Sequence, residues 1–274
     1  MSLSIIIPAC NEGGYIDACL TAVFASGGVT GAQVIVAANG CTDDTVARAK
    51  AFARQAADKG WHLIVLDLPA LGKPGALNAG DDAARHGARA YLDADVIVSP
   101  HLLAQIAQAL GGDAARYASG TPRVTARSWI TRAYARFWVR LPFVAQGVPG
   151  FGLYAVNAAG RARWGRFPPI ISDDTFVRIQ FTPAEREKVP ASYDWPMVEG
   201  FAPLVRVRRR QDQGVAELAG LEPELLANEG KDSPGKGWLL RQLLRDPLGF
   251  GTYAAVTLAV RAGWGRQRGW VRGR

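Results

Sequence analysis

The first part of the chain alternates short apolar runs with longer segments of helical periodicity. The predicted strands are 4–8, 33–38, 61–66 and 88–92, and the predicted helices are 15–25, 42–58 (with Thr42 as N-cap) and 73–86. Strands separated by helices of this length pair in parallel, with helices covering both faces of the sheet. The alternation therefore predicts an α/β fold with a mostly parallel central sheet.

A polar cluster follows each of these four predicted strands, at 9–14, 39–44, 71–75 and 93–95. Right-handed crossovers bring the carboxyl ends of parallel strands to one edge of the sheet, and ligands bind outside that edge. The sequence therefore predicts one cleft built from four separate strand ends.

Two carboxylates, Asp93 and Asp95, stand at the end of the fourth predicted strand. Burying them without a partner would be costly. Hard cations such as Mg2+ or Mn2+ are commonly shared between one or two carboxylates and substrate phosphates. The pair therefore predicts a divalent-metal site, with a turn that carries two solvated acids as the alternative.

Composition indicates a globular chain in a reducing compartment. The 274 residues are 49% hydrophobic and 20% charged, which suits one domain with an appendage. The three cysteines (Cys10, Cys19 and Cys41) are too few and too irregularly spaced for a disulfide scaffold or a zinc site. The first residues resemble a strand rather than a secretory signal, and we expect a cytoplasmic protein.

The net charge of +8 is concentrated near the C-terminus. Residues 233–274 contain eight Lys or Arg and one Asp, so the rest of the chain is close to neutral and a nucleic-acid partner is not expected. The tail also contains tryptophans and the apolar run 248–260. This combination predicts peripheral contact with an anionic membrane surface at the inner face of the cell membrane. A helical pair docked on the catalytic body is an alternative, and RNA binding is a third.

The second half is less regular than the first. Its predicted elements are helices at 128–141 and 170–181, strands at 153–157 and 204–210, a glycine-rich loop at 146–152, a polar loop-rich stretch at 214–237, and a helical segment at 237–265 that Pro247 and Gly249 interrupt.

Six motifs support a resemblance to a known family. They are SIIIPACNE at 4–12, NGCTDDT at 39–45, GKPGALNAG at 72–80, DAD at 93–95, GFG at 150–152 and ISDD at 171–174. In this order and spacing they resemble the inverting family 2 glycosyltransferases, over roughly residues 3–210. The resemblance implies a GT-A-type nucleotide-diphospho-sugar transferase fold with a C-terminal helical appendage.

The resemblance also implies roles on the donor side. The donor would be a nucleoside diphosphate-sugar. Asp95, assisted by Asp93, would hold Mn2+ or Mg2+ against its diphosphate as a Lewis acid. Lys73 would add positive charge near the phosphates or the base, and a solvated loop lysine is the alternative for it.

Four residues fall where the family binds the base and the ribose: Pro8, Asn11, Glu12 and Asn39. Many family members carry Asp at the position of Asn39. An amide can donate and accept hydrogen bonds but carries no charge. The expected donor nucleotide is therefore UDP or GDP, and the residues do not choose between them.

The acceptor side carries the candidate base. Inversion needs a group that deprotonates the incoming hydroxyl, and a carboxylate suits this role. The resemblance implies Asp174 as the base, with Asp173 as its orienting partner or substitute, and Gly150 and Gly152 in the acceptor-side loop. The alternative is that both acids cap a helix.

A later motif bears on processivity. Processive family members often carry Gln-x-x-Arg-Trp on a late helix, and the run 206–214 stands in a similar place without Trp. Arg210 is expected to contact the diphosphate, and an exposed edge strand guarded by charge is the alternative. The missing Trp favours transfer of a single sugar to a glycan or lipid-linked acceptor.

The expected organisation is a catalytic domain at 1–232 followed by a basic amphipathic helical tail at 233–274. The nucleotide-binding half would span about 1–98 and the acceptor half about 99–232. Two other functions stay open, a catalytically inactive GT-A-like subunit of a glycan assembly complex and a nucleotidyltransferase. The first loop has no Lys or Arg, which counts against the nucleotidyltransferase.

Overall fold

The computed structural model describes residues 2–230 and 234–265, in which eight strands and twelve α-helices form. The strands are β1 (Ser4–Ala9), β2 (Gln33–Asn39), β3 (His62–Leu68), β4 (Arg89–Leu92), β5 (Ile97–Val98), β6 (Tyr117–Thr125), β7 (Leu153–Val156) and β8 (Arg186–Pro196). The helices are α1 (Ile16–Ala25), α2 (Thr45–Ala51), α3 (Ala53–Asp58), α4 (Gly72–Ala83), α5 (Leu102–Ala109), α6 (Trp129–Trp138), α7 (Pro142–Ala145), α8 (Ala158–Arg161), α9 (Asp173–Ile179), α10 (Phe201–Leu221), α11 (Lys236–Arg245) and α12 (Pro247–Arg261). Short 3-10 turns occur at Pro183–Glu185 and Glu224–Asn228.

The strands form one sheet in the order β3-β2-β1-β4-β7-β6-β8-β5. Strands β3, β2, β1 and β4 run parallel, and β7 joins β4 in the antiparallel sense. The predicted α/β class and the four parallel strands are confirmed. Strands β5, β6 and β8 extend the sheet and were not predicted.

The chain forms two compact units. The first contains the described residues of 1–123 and 148–195, and the second those of 124–147 and 196–265. Helix α10, which the sequence assigned to the catalytic domain, therefore groups with α11 and α12. The predicted boundary between residues 232 and 233 lies outside the described residues.

Strand β1 shows why both faces of the sheet are covered in the first unit. Alternate side chains of a strand point to opposite faces. Ile5 and Ile7 belong to the same apolar core as Leu20 of α1. On the other face, Gly80 of α4 lies so close to Ile6 that an added Cβ would collide with the Ile6 side chain. Two helical layers thus hold β1 with its C-terminal end fixed.

The helix predicted at 42–58 begins later and is divided. Helix α2 starts at Thr45 with Asp44 at the N-cap position, and the chain is interrupted at Phe52 before α3. The prediction that Thr42 caps this helix is wrong. The backbone N–H of Thr42 instead donates to Asn11 Oδ1 at 2.7 Å, which holds Thr42 in the preceding loop.

The second unit is helical. The predicted strand at 204–210 is wrong, and so is the predicted loop over 214–221, because α10 continues through residue 221. Alternating Val and Arg suggested a strand, yet Leu204, Val205 and Leu218 are the apolar residues that α10 buries. Packing of one helical face has therefore overridden local β-propensity.

Helix α12 lies against α6 and α10 within this unit. The Tyr253 ring lies 4.6 Å from the Phe137 ring, and the Phe250 ring lies 5.6 Å from it. The break predicted near Pro247 is present, and Asp246 caps α12 by accepting from Gly249 N at 2.9 Å. In the described part of the chain, each helix is too short or too polar to cross a membrane.

Candidate active site

The loop after β1 is fixed by the side chain of Asn11. Asn11 has a φ of 54°, a left-handed conformation that Asn tolerates better than most residues. Its Oδ1 accepts from the backbone N–H of Thr42 at 2.7 Å and of Asp43 at 3.3 Å. The structure thus gives Asn11 the task of joining the loop after β1 to the loop after β2.

The same two loops are joined a second time. Asp43 accepts from Gly13 N at 3.0 Å and from Thr45 N at 3.1 Å, and Thr45 Oγ1 accepts from Glu12 N at 2.8 Å. The side chain of Glu12 is half-buried. The loops after β1 and β2 are therefore hydrogen-bonded to each other, and two of the predicted polar clusters lie side by side.

Asn39 plays the corresponding part at the end of β2. It is buried, and its Oδ1 accepts from the backbone N–H of Leu71 at 2.6 Å. Gly40 follows with a φ of 61°, and a Cβ there would lie 2.8 Å from the Ala70 Cβ. Asn39 and Gly40 thus hold the loop that leads into α4.

Pro8 lies half-buried near the end of β1. Strand β4 pairs with β1 only from Ser4 to Ile6. The missing N–H of Pro8 therefore leaves no ladder bond unmade on that side, which is where a strand accommodates proline.

Lys73 stands in the first turn of α4 and joins two carboxylates. Its Nζ lies 2.9 Å from Asp93 Oδ1 and 3.0 Å from Asp173 Oδ1. Asp93 follows β4, whereas Asp173 begins α9. The side chains of Lys73 and Asp93 are each about a third exposed, at 35% and 32%, and that of Asp173 is 6% exposed. The alternative of a solvated loop lysine is therefore wrong.

Burial and ion pairing act in opposite directions on the pKa values of Lys73 and Asp173. Burial disfavours the charge on Lys73, but the neighbouring carboxylates of Asp173 and Asp93 outweigh it and raise the pKa of the ammonium above its ordinary value. Burial also raises the pKa of Asp173. Lys73 acts against that rise, and the charge of Asp174 adds to it. The Lys73 ammonium therefore stays positively charged, and its charge stabilises the neighbouring carboxylates.

Asp93 and Asp95 lie in a turn directly after β4. The turn is fastened by Asp93 N, which donates to Gly152 O at 2.9 Å, and by Val96 N, which donates to Asp93 O at 3.1 Å. Asp95 is only 5% exposed. Both acids act on the buried thiol of Cys19, where burial and then the charges of Asp95 and Asp93 raise the thiol pKa well above its ordinary value. Cys19 is therefore a neutral core residue beneath the two acids.

These two carboxylates fit a divalent cation that arrives with a substrate. Within the described residues, no group of three His, Cys, Asp or Glu side chains forms a complete metal cage. Mg2+ and Mn2+ need no such cage, since they take hard oxygen ligands and are commonly held by one or two carboxylates together with phosphates and water. The donor set suits a shared metal rather than a resident structural one.

Gly150 and Gly152 lie in the loop before β7, and neither position has room for a side chain. Both adopt left-handed backbone, with φ of 74° and 75°. A Cβ at Gly152 would lie 2.6 Å from Trp195 Cδ1, and one at Gly150 would collide with the Tyr117 hydroxyl. The glycine loop is thus held against aromatic side chains, and the carbonyl of Gly152 holds Asp93.

Asp173 and Asp174 differ in how their oxygens are used. Asp173 Oδ1 faces Lys73, and its Oδ2 accepts from the Tyr154 hydroxyl at 3.0 Å. Asp174 is half-buried, and its Oδ1 accepts from Thr175 N at 2.7 Å. Asp174 thus contributes to the start of α9, whereas the alternative that both acids only cap the helix is wrong for Asp173.

Sequence comparison assigns this arrangement of residues to a family. Residues 4–166 match Glycosyl transferase family 2. The chain belongs to this family. The matched region contains the loops after β1 and β2, Lys73, and the acids after β4. The enzyme is therefore a glycosyltransferase, which removes the nucleotidyltransferase alternative.

Solved structures show that this glycosyltransferase has the GT-A fold. The mannosyltransferase PcManGT from Pyrobaculum calidifontis, in complex with GDP-Man and Mn2+, is similar with a TM-score of 0.62 and 20% identity, over 97% of this chain and 76% of that one. S. aureus TarS 1-349 in complex with UDP has a TM-score of 0.55 and 14% identity, over 100% and 95% of the two chains. The glucosyl-3-phosphoglycerate synthase of Mycobacterium tuberculosis, in complex with Mn2+ and UDP-Glc, has a TM-score of 0.50 and 19% identity, over 80% and 78%. No curated protein is similar enough to match.

Sequence reasoning missed two residues that build the glycosyltransferase site. Tyr154, which binds Asp173, lies in a correctly predicted strand, but nothing local marks its hydroxyl. Asn78 of α4 bonds the backbone of Phe167 in both directions, at 3.0 Å and 2.8 Å, and so anchors the segment that precedes α9. The asparagine within GKPGALNAG was the available signal for this second contact.

Arg210 is the predicted site residue that the structure assigns to the second unit. It lies on α10 rather than on the predicted strand, so the alternative of a charged edge strand is wrong. Contact between Arg210 and a diphosphate stays a prediction.

Proposed function

We propose that this glycosyltransferase moves one sugar from a nucleoside diphosphate-sugar to an acceptor hydroxyl, with inversion and with the help of Mn2+ or Mg2+. The acceptor would be a glycan or a lipid-linked saccharide. The absence of Trp after Arg210 in the sequence supports single addition rather than processive synthesis.

The observation that carries this proposal is the position of Lys73. One ammonium reaches a donor-side acid, Asp93, at 2.9 Å and an acceptor-side acid, Asp173, at 3.0 Å. Displacement at an anomeric carbon needs the leaving diphosphate and the base on opposite sides of one atom. Two carboxylates that share one ammonium support a site small enough for that arrangement.

Asp174 is the better candidate for the base. Both oxygens of Asp173 already accept hydrogen bonds, from Lys73 and from Tyr154, and a carboxylate used in this way is poorly placed to take a proton. Asp174 is half-buried and uses Oδ1 for Thr175 N. We therefore assign proton removal to Asp174 Oδ2 and positioning to Asp173.

The proposed step forms one bond and breaks one. The acceptor oxygen attacks the anomeric carbon as its proton passes to Asp174, and the bond from that carbon to the diphosphate oxygen breaks with its electron pair on the diphosphate. Lys73 places positive charge beside the donor-side acids. A divalent cation held by Asp95 and Asp93, when bound, would neutralise the charge of the departing diphosphate.

The choice of donor nucleotide lies between UDP and GDP, and the ligands of the similar structures define the candidate donors. They contain GDP-Man, UDP and UDP-Glc. Pro8, Asn11, Glu12 and Asn39 are the proposed contacts to base and ribose. The oxygens of Asn11 and Asn39 already hold backbone amides, so we propose that their amide N–H groups are what they offer to a nucleotide.

Calorimetric titration tests the donor side. UDP and GDP are titrated into the enzyme with and without Mn2+. We expect metal-dependent binding of one of them, and loss of that metal dependence in Asp95→Asn. Equal affinity with and without Mn2+, or Asp95→Asn that matches wild type, would refute the metal assignment.

Substitution of the acids tests the acceptor side. Asp174→Asn keeps an acceptor oxygen for Thr175 N but cannot take a proton, so transfer should fall about 10²–10⁴-fold while nucleotide affinity stays unchanged. Release of nucleoside diphosphate from GDP-Man, UDP-GlcNAc or UDP-Glc, with water in place of the acceptor hydroxyl, measures the reaction. Asp82→Asn, at an exposed carboxylate on α4 (64% exposed), is the matched control. If Asp174→Asn remains active and Asp173→Asn does not, the two roles are reversed.

A further inference from the structure

Helix α11 has its leucines outward and a glutamine inward. Leu240, Leu243 and Leu244 recur at i, i+3 and i+4 and so share one side of the helix. They are 58%, 39% and 77% exposed, whereas Gln242 is 5% exposed. A helix of a soluble protein normally buries its apolar side. We call Leu240, Leu243 and Leu244 the leucine face.

The orientation of α11 is fixed by its other side and its end. The Trp238 ring packs edge-on against the Phe137 ring, with 5.9 Å between centroids. Asp246, which directly follows α11, pairs with Arg136 at 3.2 Å and with Arg140 at 3.4 Å. Turning α11 to bury the leucine face would break these contacts.

The charged side chains of α11 itself have one sign. Lys236, Arg241 and Arg245 are exposed, and the sequence of α11 contains no Asp or Glu. The neighbouring Asp246 is engaged by two arginines of its own unit. An apolar stripe with cations beside it suits a helix that lies in the plane of an anionic lipid surface.

We propose that the leucine face, together with Arg241 and Arg245, docks this enzyme on a bilayer that contains anionic phospholipid. The proposal goes beyond the transfer reaction and does not depend on it. A second copy of the chain fits less well, since a two-fold contact through this face would bring the arginines of both copies together.

The structure narrows the part of the tail that makes this contact. The sequence pointed to the amphipathic stretch 237–245, to the apolar run 248–260 and to the basic end of the chain. Val256 is buried, and Phe250 and Tyr253 pack on Phe137, so one side of that run packs within the second unit. The basic residues beyond 265 lie outside the described residues. Leu248, Leu258 and Trp264 are exposed as well, but α11 is where three exposed leucines share one side of a helix with cations beside them.

Sedimentation of the full chain with vesicles tests this docking. Vesicles of phosphatidylcholine alone are compared with vesicles that also contain phosphatidylglycerol, at low and high salt. Wild type should sediment with the anionic vesicles and be released by salt. Leu240→Ser combined with Leu244→Ser should weaken binding at least about tenfold, and Arg241→Gln combined with Arg245→Gln by about tenfold.

Leu221→Ser is the matched control, because Leu221 is 56% exposed at the end of α10, outside the leucine face. This variant should bind vesicles as wild type does. Melting temperatures establish that the exposed substitutions leave the fold intact. Failure of wild type to bind anionic vesicles overturns the proposal, as does equal binding by the leucine double variant. Sedimentation velocity identifies the competing occupant. If wild type is a dimer, and the leucine double variant is a monomer that still binds vesicles as wild type does, the face belongs to a second copy of the chain. That result would overturn the lipid proposal.

Discussion

Replacing Lys73 with Met should make the stability of the protein fall more steeply as the pH rises from about 5 to about 8. The change keeps the length of the side chain and removes the ammonium that lies 2.9 Å from Asp93 and 3.0 Å from Asp173. Burial already raises the pKa of Asp173, and Lys73 acts against that rise. Without Lys73 the pKa of Asp173 should rise further, and the charged carboxylate should become a destabilising group.

The expected size follows from the two contacts. Hydrogen bonds to charged groups contribute about 1.5–3 kcal/mol, and solvent weakens these two because the Lys73 side chain is 35% exposed. We therefore expect a loss of about 1–2 kcal/mol at about pH 8. At about 2–4 °C per kcal/mol, the melting temperature should fall by several degrees.

The sign of the pH dependence follows from the direction of each shift. Asp173 has a raised pKa in the folded state, so in the variant its protonated form is favoured by folding and stability falls as the pH rises above the unfolded value of about 4. The pKa of Lys73 is raised too, so its contribution in wild type persists through neutral pH and is lost only as the pH rises through the folded pKa of Lys73. The gap between wild type and variant should therefore widen from about pH 5 to about pH 8.

Melting temperatures of the nucleotide-free, metal-free protein at both pH values check this. Lys50→Met, at an exposed lysine of α2, is the control and should show a small gap that does not change with pH. The reasoning is refuted if Lys73→Met is as stable as wild type at the higher pH, or if the gap narrows as the pH rises.

Two further substitutions test the frame around the site. Asp81 is almost buried and accepts from Arg89, Tyr91 and Arg161 at 2.8–2.9 Å, so Asp81→Ala should remove the carboxylate partner of two arginines and cost about 3–5 kcal/mol. A urea midpoint near that of wild type would contradict this. Gly150→Ala puts a Cβ against the Tyr117 hydroxyl at a φ of 74°, which should cost at least about 1–2 kcal/mol. Gly14→Ala, where a Cβ meets nothing within 4 Å, should melt close to wild type.

Local patterns were sufficient for the parallel half of the sheet, and non-local contacts were not visible in them. Strands β1 to β4 are short apolar runs between helices, and the polar residues after them mark one edge. Strand β8 contains Lys188 and Pro190 and has only two fully buried side chains, so its sequence resembles a loop. The link from Lys73 to Asp173 joins parts of the chain far apart in sequence. The sequence motifs identify Lys73 and Asp173 as site residues, but the ion pair between them is seen only in the folded chain.

The charges around Lys73 support the proposed metal dependence without a family argument. Asp93 and Asp173 share one ammonium, that of Lys73. Asp174 raises the pKa of both Lys73 and Asp173, and Asp95 and Asp93 act together on Cys19. Lys73 therefore serves more than one carboxylate, and an entering diphosphate adds further negative charge. Like charges in a partly buried cluster repel strongly. A donor should therefore bind well only when additional positive charge enters with it, so that Mn2+ matters more for a nucleoside diphosphate than for the uncharged nucleoside.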